Sequence, residues 1–213
     1  MNAEKSVNEC RFDTLGQPQT GAAIDLITGI FRRHEPLALT VGQTHDEFKA
    51  MLDVFLPAAL PDGLTMGVFD LDRLVGIALT TPFTFTPPPE IEGTSPTYPP
   101  IGALIEALEH GYEHQNARRL DRCAHIHMLA IDDTVRGRGI GRALVNATTQ
   151  NARAKEFDAV LSDATNPTSQ WVFANLGFET RNEIRYDTFD HGGARTFASI
   201  ANLGAIKLVE KRL

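Results

Sequence analysis

Two histidines, His125 and His127, sit one residue apart in the apolar run HIHMLAI (residues 125–131), and RGRGIGR (residues 136–142) follows closely. Residues i and i+2 of a strand face the same way, so the two imidazoles project together. A neutral imidazole, with an unperturbed pKa of roughly 6.5, is a suitable base near neutral pH. The glycine-rich run reads as a loop opening a helix. Free backbone N–H groups at a helix N-terminus form an anion site, and glycines let a phosphate come close. These residues imply a phosphate-bearing cofactor with acid–base chemistry beside it.

The familiar nucleotide motifs do not explain the loop. No G-x-x-x-x-G-K-[ST] occurs, and Arg142 stands where G-x-G-x-x-G needs its last glycine. The histidines have no carboxylate partners that sequence can place, so no metal is expected.

The elements that must position these groups read as one alternating α/β chain. A short strand is expected over 10–15 and a helix over 21–33, broken at Pro36. Thr44 and Glu47 have capping-box spacing. Phe48, Met51, Leu52, Phe55, Leu56 and Ala59 then give the helical period, ended by Pro61-Asp-Gly63. Strands follow at 64–69 and 74–81. Residues 82–100 hold seven of the twelve prolines and read as an extended loop, either a lid or a mobile surface insertion. Ile101, Leu104, Ile105, Leu108 and Tyr112 mark a helix. A strand at 123–131, a helix at 139–155 and a strand at 158–164 come next. Asn166 caps a helix from Pro167 to about Leu176, closed by Gly177. Strands at about 178–189 and 204–211 end the chain. Residues 1–213 are read as a single domain.

Composition sets broad limits. Hydrophobic residues at 42 % and charged ones at 22 % are ordinary for a globular protein. A net charge of −7 argues against nucleic acid and suits a cationic acceptor such as an amine. The first ten residues lack the apolar core of a signal peptide, and no run approaches a membrane span. Only Cys10 and Cys123 are present, so no disulfide framework is expected and the cytoplasm is the expected compartment.

Arg136-x-x-Gly139-x-Gly141 resembles the [QR]-x-x-G-x-[GA] loop of the GNAT superfamily of acyl-CoA N-acyltransferases. The segment NPTSQWVFANLGF (residues 166–178) resembles the family's N-x-x-[AS]-x-x-x-[YF]-x-x-x-G-F pattern. The resemblance implies a mixed, mostly antiparallel sheet flanked by helices and splayed at the acetyl-CoA strand. It places the cofactor pyrophosphate on Arg136, Gly137, Arg138, Gly139, Ile140, Gly141 and Arg142. The pantetheine arm would pair with Leu129, Ala130 and Ile131, with an N–H near Leu129 polarising the thioester carbonyl. Asn166, Ser169 and Phe173 would line the cofactor's other side.

The histidine strand is similar to the H-x-H-x-L-A-V strand of vertebrate arylalkylamine N-acetyltransferases, which implies a proton relay through His125 and His127. Glu35, in the run EPL, resembles a proposed general base of the insect-type enzymes and competes with them; read on residue type alone it is an exposed residue at a helix end. Thr165 and Ser169 match the insect-type serines in part. One departure stands out: Phe173 occupies a position where the family often has a tyrosine that protonates the thiolate. The thiolate then leaves unaided, or water, Ser169 or Tyr186 supplies the proton, or the domain only binds acyl-CoA.

The implied activity is direct acetyl transfer from acetyl-CoA to a primary amine, foremost a small arylalkylamine. A polyamine, an antibiotic amine, a protein amino group, or a non-catalytic acyl-CoA sensor are the alternatives. Similar proteins are often dimers, so the resemblance allows a homodimer. Cys123 is expected in the core, Asp132 and Asp133 as turn caps, and Trp171 with Phe173 as packing residues.

Overall fold

The computed structural model describes residues 7–116 and 119–213. The first six residues, part of the stretch read for a signal peptide, lie outside the described residues. Seven strands form one sheet in the order β1-β2-β3-β4-β5-β7-β6. In chain order they are β1 (Cys10–Thr14), β2 (Met66–Asp70), β3 (Arg73–Pro82), β4 (Cys123–Ile131), β5 (Ala159–Ala164), β6 (Glu179–Arg185) and β7 (Ala205–Arg212). Only β4 and β5 run parallel; every other neighbouring pair is antiparallel.

Helices cover both faces, because strand residues alternate between them. On one face, α1 (Thr20–His34) and α3 (His45–Ala59) bury Ile27, Leu52 and Leu56 against Ile77, Leu79 and Ala130. Beside them, α2 (Pro36–Val41) and α4 (Pro99–Asn116) pack Leu37, Leu104 and Leu108 against Leu161 and Leu208. On the opposite face, α5 (Ile140–Ala154) and α6 (Pro167–Ala174) bury Leu144, Val145 and Phe173 with Ile126, Val160 and Val209. The expected capping box of α3 is present: Thr44 Oγ1 accepts from Glu47 N–H, and Glu47 accepts from Thr44 N–H.

Three local readings are corrected. Pro36 does not only end α1; it occupies the first turn of α2, where a missing N–H costs nothing. Strand β6 stops at Arg185 rather than 189, and a 3-10 stretch, Thr196–Leu203, precedes β7. The loop at 82–100 is anchored: Phe83, Phe85, Ile91 and Tyr98 pack on the cores, and Ser95 Oγ accepts from the Gln43 side chain at 2.7 Å.

Candidate active site

The site is built by two irregularities in β4. The ladder to β3 pairs Leu79 with Met128 and Thr80 with Ile126, so His127 is an extra, unpaired residue. Such a bulge lets two consecutive residues share a face. Met128 and Ala130 therefore lie with the α1–α3 core, while Leu129 and Ile131 turn to the α5 core along with Ala124 and Ile126. The second irregularity is on the other edge. Strands β4 and β5 pair from Cys123–Ala159 to Ile126–Ser162 and then part. Ser162 Oγ donates to the Ile126 carbonyl at 2.9 Å at the last rung. From His127 to Ile131 the β5-facing edge of β4 has no strand partner among the described residues.

The glycine loop lies at the far end of that open edge. Gly137 and Gly139 have φ of +78° and +75°, a conformation that strains any side chain, and a Cβ at Gly137 would meet nothing within 4 Å. Gly139 is the N-cap of α5 and offers no side-chain cap. The N–H groups of Ile140, Gly141 and Arg142 are thus the unpaired first-turn donors. The turn before the loop is tied by charge. Asp132 accepts from Thr134 N–H and pairs with Arg73, and Asp133 pairs with Arg33 (2.8 Å), His34 (3.3 Å) and Arg136 (2.7 Å). Arg138 does not extend to solvent beside the loop; it is half-buried and 3.7 Å from Asp70.

At the near end, the two histidines meet, with ring centroids 4.3 Å apart. Thr81 Oγ1 lies 2.8 Å from His127 Nε2 and donates its own proton to the Pro82 carbonyl. The network therefore assigns the His127 proton to Nε2 and leaves Nδ1 as the basic nitrogen. Burial and the neighbouring His125 charge hold His127 well below the ordinary imidazole pKa. His125 is fully buried, and burial alone would lower it too. Asp163, 3.1 Å from Nε2, and Glu109, 3.6 Å from Nδ1, reverse the sign and raise it. Glu109 is itself pushed up to about 7 by burial, against the pull of His125. Phe55 stands edge-on to His127 and Phe83 tilts against His125.

Glu35 is not the exposed helix-end residue that its type suggests. It caps α2, its Oε2 accepting from Ala38 N–H at 2.6 Å while Oε1 is buried without a partner. Burial lifts it to about 7, opposed chiefly by the Ala38 N–H. Tyr98 joins the groups: burial and the charges of Glu109, Asp163 and Glu35 push its hydroxyl up to about 12. Tyr186 is buried and donates to the Thr165 carbonyl. The splay thus gathers Glu35, Tyr98, Glu109, His125, His127 and Asp163.

Of the α6 residues, Asn166 Oδ1 accepts from Ser169 N–H at 3.0 Å, and Ser169 Oγ donates to the Asn166 carbonyl at 2.9 Å, so both work as a cap. Phe173 is 1 % exposed and packs edge-on to Phe178, which places it inside the core. Trp171, expected as packing, is 59 % exposed. Cys123 is in the core as expected. Sequence reading missed Glu109, Asp163, Thr81 and Tyr98. Glu109 had a signal, since it stands four residues after Ile105 and three before Tyr112, on the apolar stripe of α4.

Comparison with known proteins finds the same fold elsewhere. The C-terminal condensation domain of Ebony, solved with β-alanyl-dopamine, superimposes with a TM-score of 0.86 at 18 % identity, covering 96 % of this chain and 99 % of that one. Arylalkylamine N-acetyltransferase 2 of Aedes aegypti gives 0.79 at 24 % identity, over 96 % and 99 %. The Drosophila melanogaster polyamine N-acetyltransferase, which forms N-acetylagmatine, gives 0.74 at 19 %, over 96 % and 100 %. At these identities the likeness is one of fold. Residues 106–189 also match the family model described as an acetyltransferase (GNAT) domain, a span that holds β4, the glycine loop, α5, β5 and α6. Residues 106–189 thus match an acetyltransferase (GNAT) domain, and the chain as a whole has a fold similar to that of the arylalkylamine N-acetyltransferases.

Proposed function

We propose that this chain acetylates the primary amine of a small arylalkylamine-like molecule, with acetyl-CoA as donor and direct attack in a ternary complex. The parting of β4 from β5 carries the reading, because it opens a main-chain edge between an anion site and a buried acid–base cluster. The residues present fit the donor. The open space at Gly137 and the free first-turn N–H groups of α5 suit a pyrophosphate, and the edge at Leu129, Ala130 and Ile131 suits an extended amide-bearing arm. Bound there, acetyl-CoA would supply an electrophilic thioester carbonyl and a thiolate leaving group.

The chain's own groups then handle charge and protons. An amine arrives as the ammonium ion and must lose a proton to become a nucleophile. The acidic groups Glu35, Glu109 and Asp163 favour its approach. His127, neutral with Nδ1 free to accept, takes the proton, and Glu35 is the rival base. Phe55, Phe83, Phe85 and Tyr98 give the same region an aromatic wall suited to an aryl group. The Ebony domain's ligand, an amide of an arylalkylamine, supports this acceptor class. Phe173, buried in the α6 core, cannot donate to the thiolate. An ordinary thiol pKa of roughly 8.5 lets the thiolate leave without a local acid.

The decisive test is CoA release across a panel of arylalkylamines, polyamines and peptides. Turnover on arylalkylamines is expected to lead the panel. Tight acetyl-CoA binding with no turnover on any amine would overturn the proposal in favour of a sensor.

A further inference from the structure

The expectation of no metal turned on the histidines having no carboxylate that sequence could place beside them. The fold supplies two. His125 pairs with Leu161 in the short β4–β5 ladder, and Asp163 follows just past its last rung, where the two strands part. Glu109 reaches the same place from α4. One nitrogen of His125 and one oxygen each of Asp163 and Glu109 lie within 4.8 Å of one another. The His125 and Asp163 side chains are 2 % and 8 % exposed, and that of Glu109 is 24 % exposed.

The polar atoms here do not satisfy one another. His125 Nε2 stands 3.1 Å from Asp163 Oδ2 yet makes no hydrogen bond, and Asp163 Oδ1 is buried without a partner. Buried charges are normally paired or coordinate a metal. Glu210, also buried, has Arg119, Arg181 and Arg212 around it. Among the described residues, Glu109 and Asp163 share a single imidazole and pair with no lysine or arginine. Two carboxylates and one imidazole are short of positive charge, and the orphaned atoms mark where it would sit.

We infer that Glu109, His125 and Asp163 form a binding site for a divalent transition ion of the zinc class, which ties α4, β4 and β5 together where the strands part. The site goes beyond the acetyl-transfer reading and does not rest on it. An imidazole nitrogen with two carboxylate oxygens suits zinc and its neighbours, whereas magnesium and calcium prefer all-oxygen sets with more ligands. Zinc holds such ligands about 2.0–2.2 Å away, so the three donors must close from 4.8 Å by on the order of 1 Å. Glu109, the most exposed of the three, can make that move and gives the ion its way in. His127 is outside the set, with Nε2 held by Thr81 at 2.8 Å.

The test is calorimetric titration of the chelator-treated full-length chain with zinc chloride, with no acyl donor or amine present, alongside melting curves. The wild-type chain is expected to bind about one equivalent with a rise in Tm. Glu109→Gln keeps the side chain's size and removes its charge, and should fold normally while binding zinc about tenfold or more weakly. Magnesium at the same concentration should leave Tm unmoved. No zinc binding by the wild-type chain overturns the site and leaves a buried ion-paired cluster. Equal binding by wild type and Glu109→Gln also overturns it, and assigns the ion to surface histidines such as His45 or His110. An equal response to magnesium overturns it in favour of a nonspecific acidic patch. No acetyl transfer enters these readouts, so failure of the metal site and failure of the acetyl-transfer reading are seen separately.

Discussion

The rings of His125 and His127 lie 4.3 Å apart and are driven in opposite directions, one raised above and the other held well below the ordinary imidazole pKa. The difference comes from their second neighbours. His125 has two carboxylates, and His127 has a hydroxyl, a phenyl edge and the positive His125. A neutral imidazole is suited to take a proton. His127→Ala is expected to lower kcat for amine acetylation by about 10²–10³ and to cost more than Glu35→Ala. Parallel kinetics of both variants decide the base; a loss confined to Glu35→Ala would assign that role to the α2 cap.

The glycine loop predicts a binding defect with no folding defect. Gly139→Glu puts a side chain at φ +75° and a negative charge on the anion site. Calorimetry should show acetyl-CoA binding abolished, while a melting curve shows a folded protein. Unchanged binding would reject residues 136–142 as the donor site.

Glu35 makes stability depend on pH in a definite sense. Its folded pKa of about 7 exceeds the unfolded value of 4.5, so the folded state prefers the protonated acid. That contribution is fully present below pH 4.5 and is lost as pH rises through 7. Glu35→Gln keeps a neutral group there at every pH. The wild-type protein should therefore lose on the order of 2–3 kcal/mol relative to the variant between pH 4 and 8. Urea midpoints across that range give the comparison, and parallel curves would contradict it.

Phe173 is expected to matter to folding. Buried at 1 % exposure against Phe178, it should cost about 3–5 kcal/mol on truncation to Ala. Phe173→Tyr would bury a hydroxyl and destabilise by about 1–3 kcal/mol unless a partner is found. Denaturant titration of both variants measures this, and a gain of activity in Phe173→Tyr would show that the ring edge reaches the donor sulfur.

Much of this architecture could be read from residue order. The strand at 123–131, the caps at Thr44 and Asn166, and the glycine at 139 all matched, because each rests on a local rule of period or turn chemistry. What escaped the reading depends on contacts distant in sequence. The His125 pKa is raised by Glu109 and Asp163, sixteen and thirty-eight residues away, on elements that only the sheet order brings beside it. Glu35 looked like a surface acid because its burial depends on α2 docking, and α2 itself was hidden by Pro36, whose usual reading is a stop. Alternation correctly put His125 and His127 on one face but gave no warning that the phase changes immediately after them.

That phase change makes the length of β4 as consequential as its composition. The strand is read in two frames, joined at His127. Deleting that single residue would remove the bulge and leave one regular alternation, with Ile126, Leu129 and Ile131 still on the α5 core. The one-residue offset thus seats a second imidazole beside His125 without disturbing either core, and deletion of His127 should be tolerated by the fold while removing that imidazole.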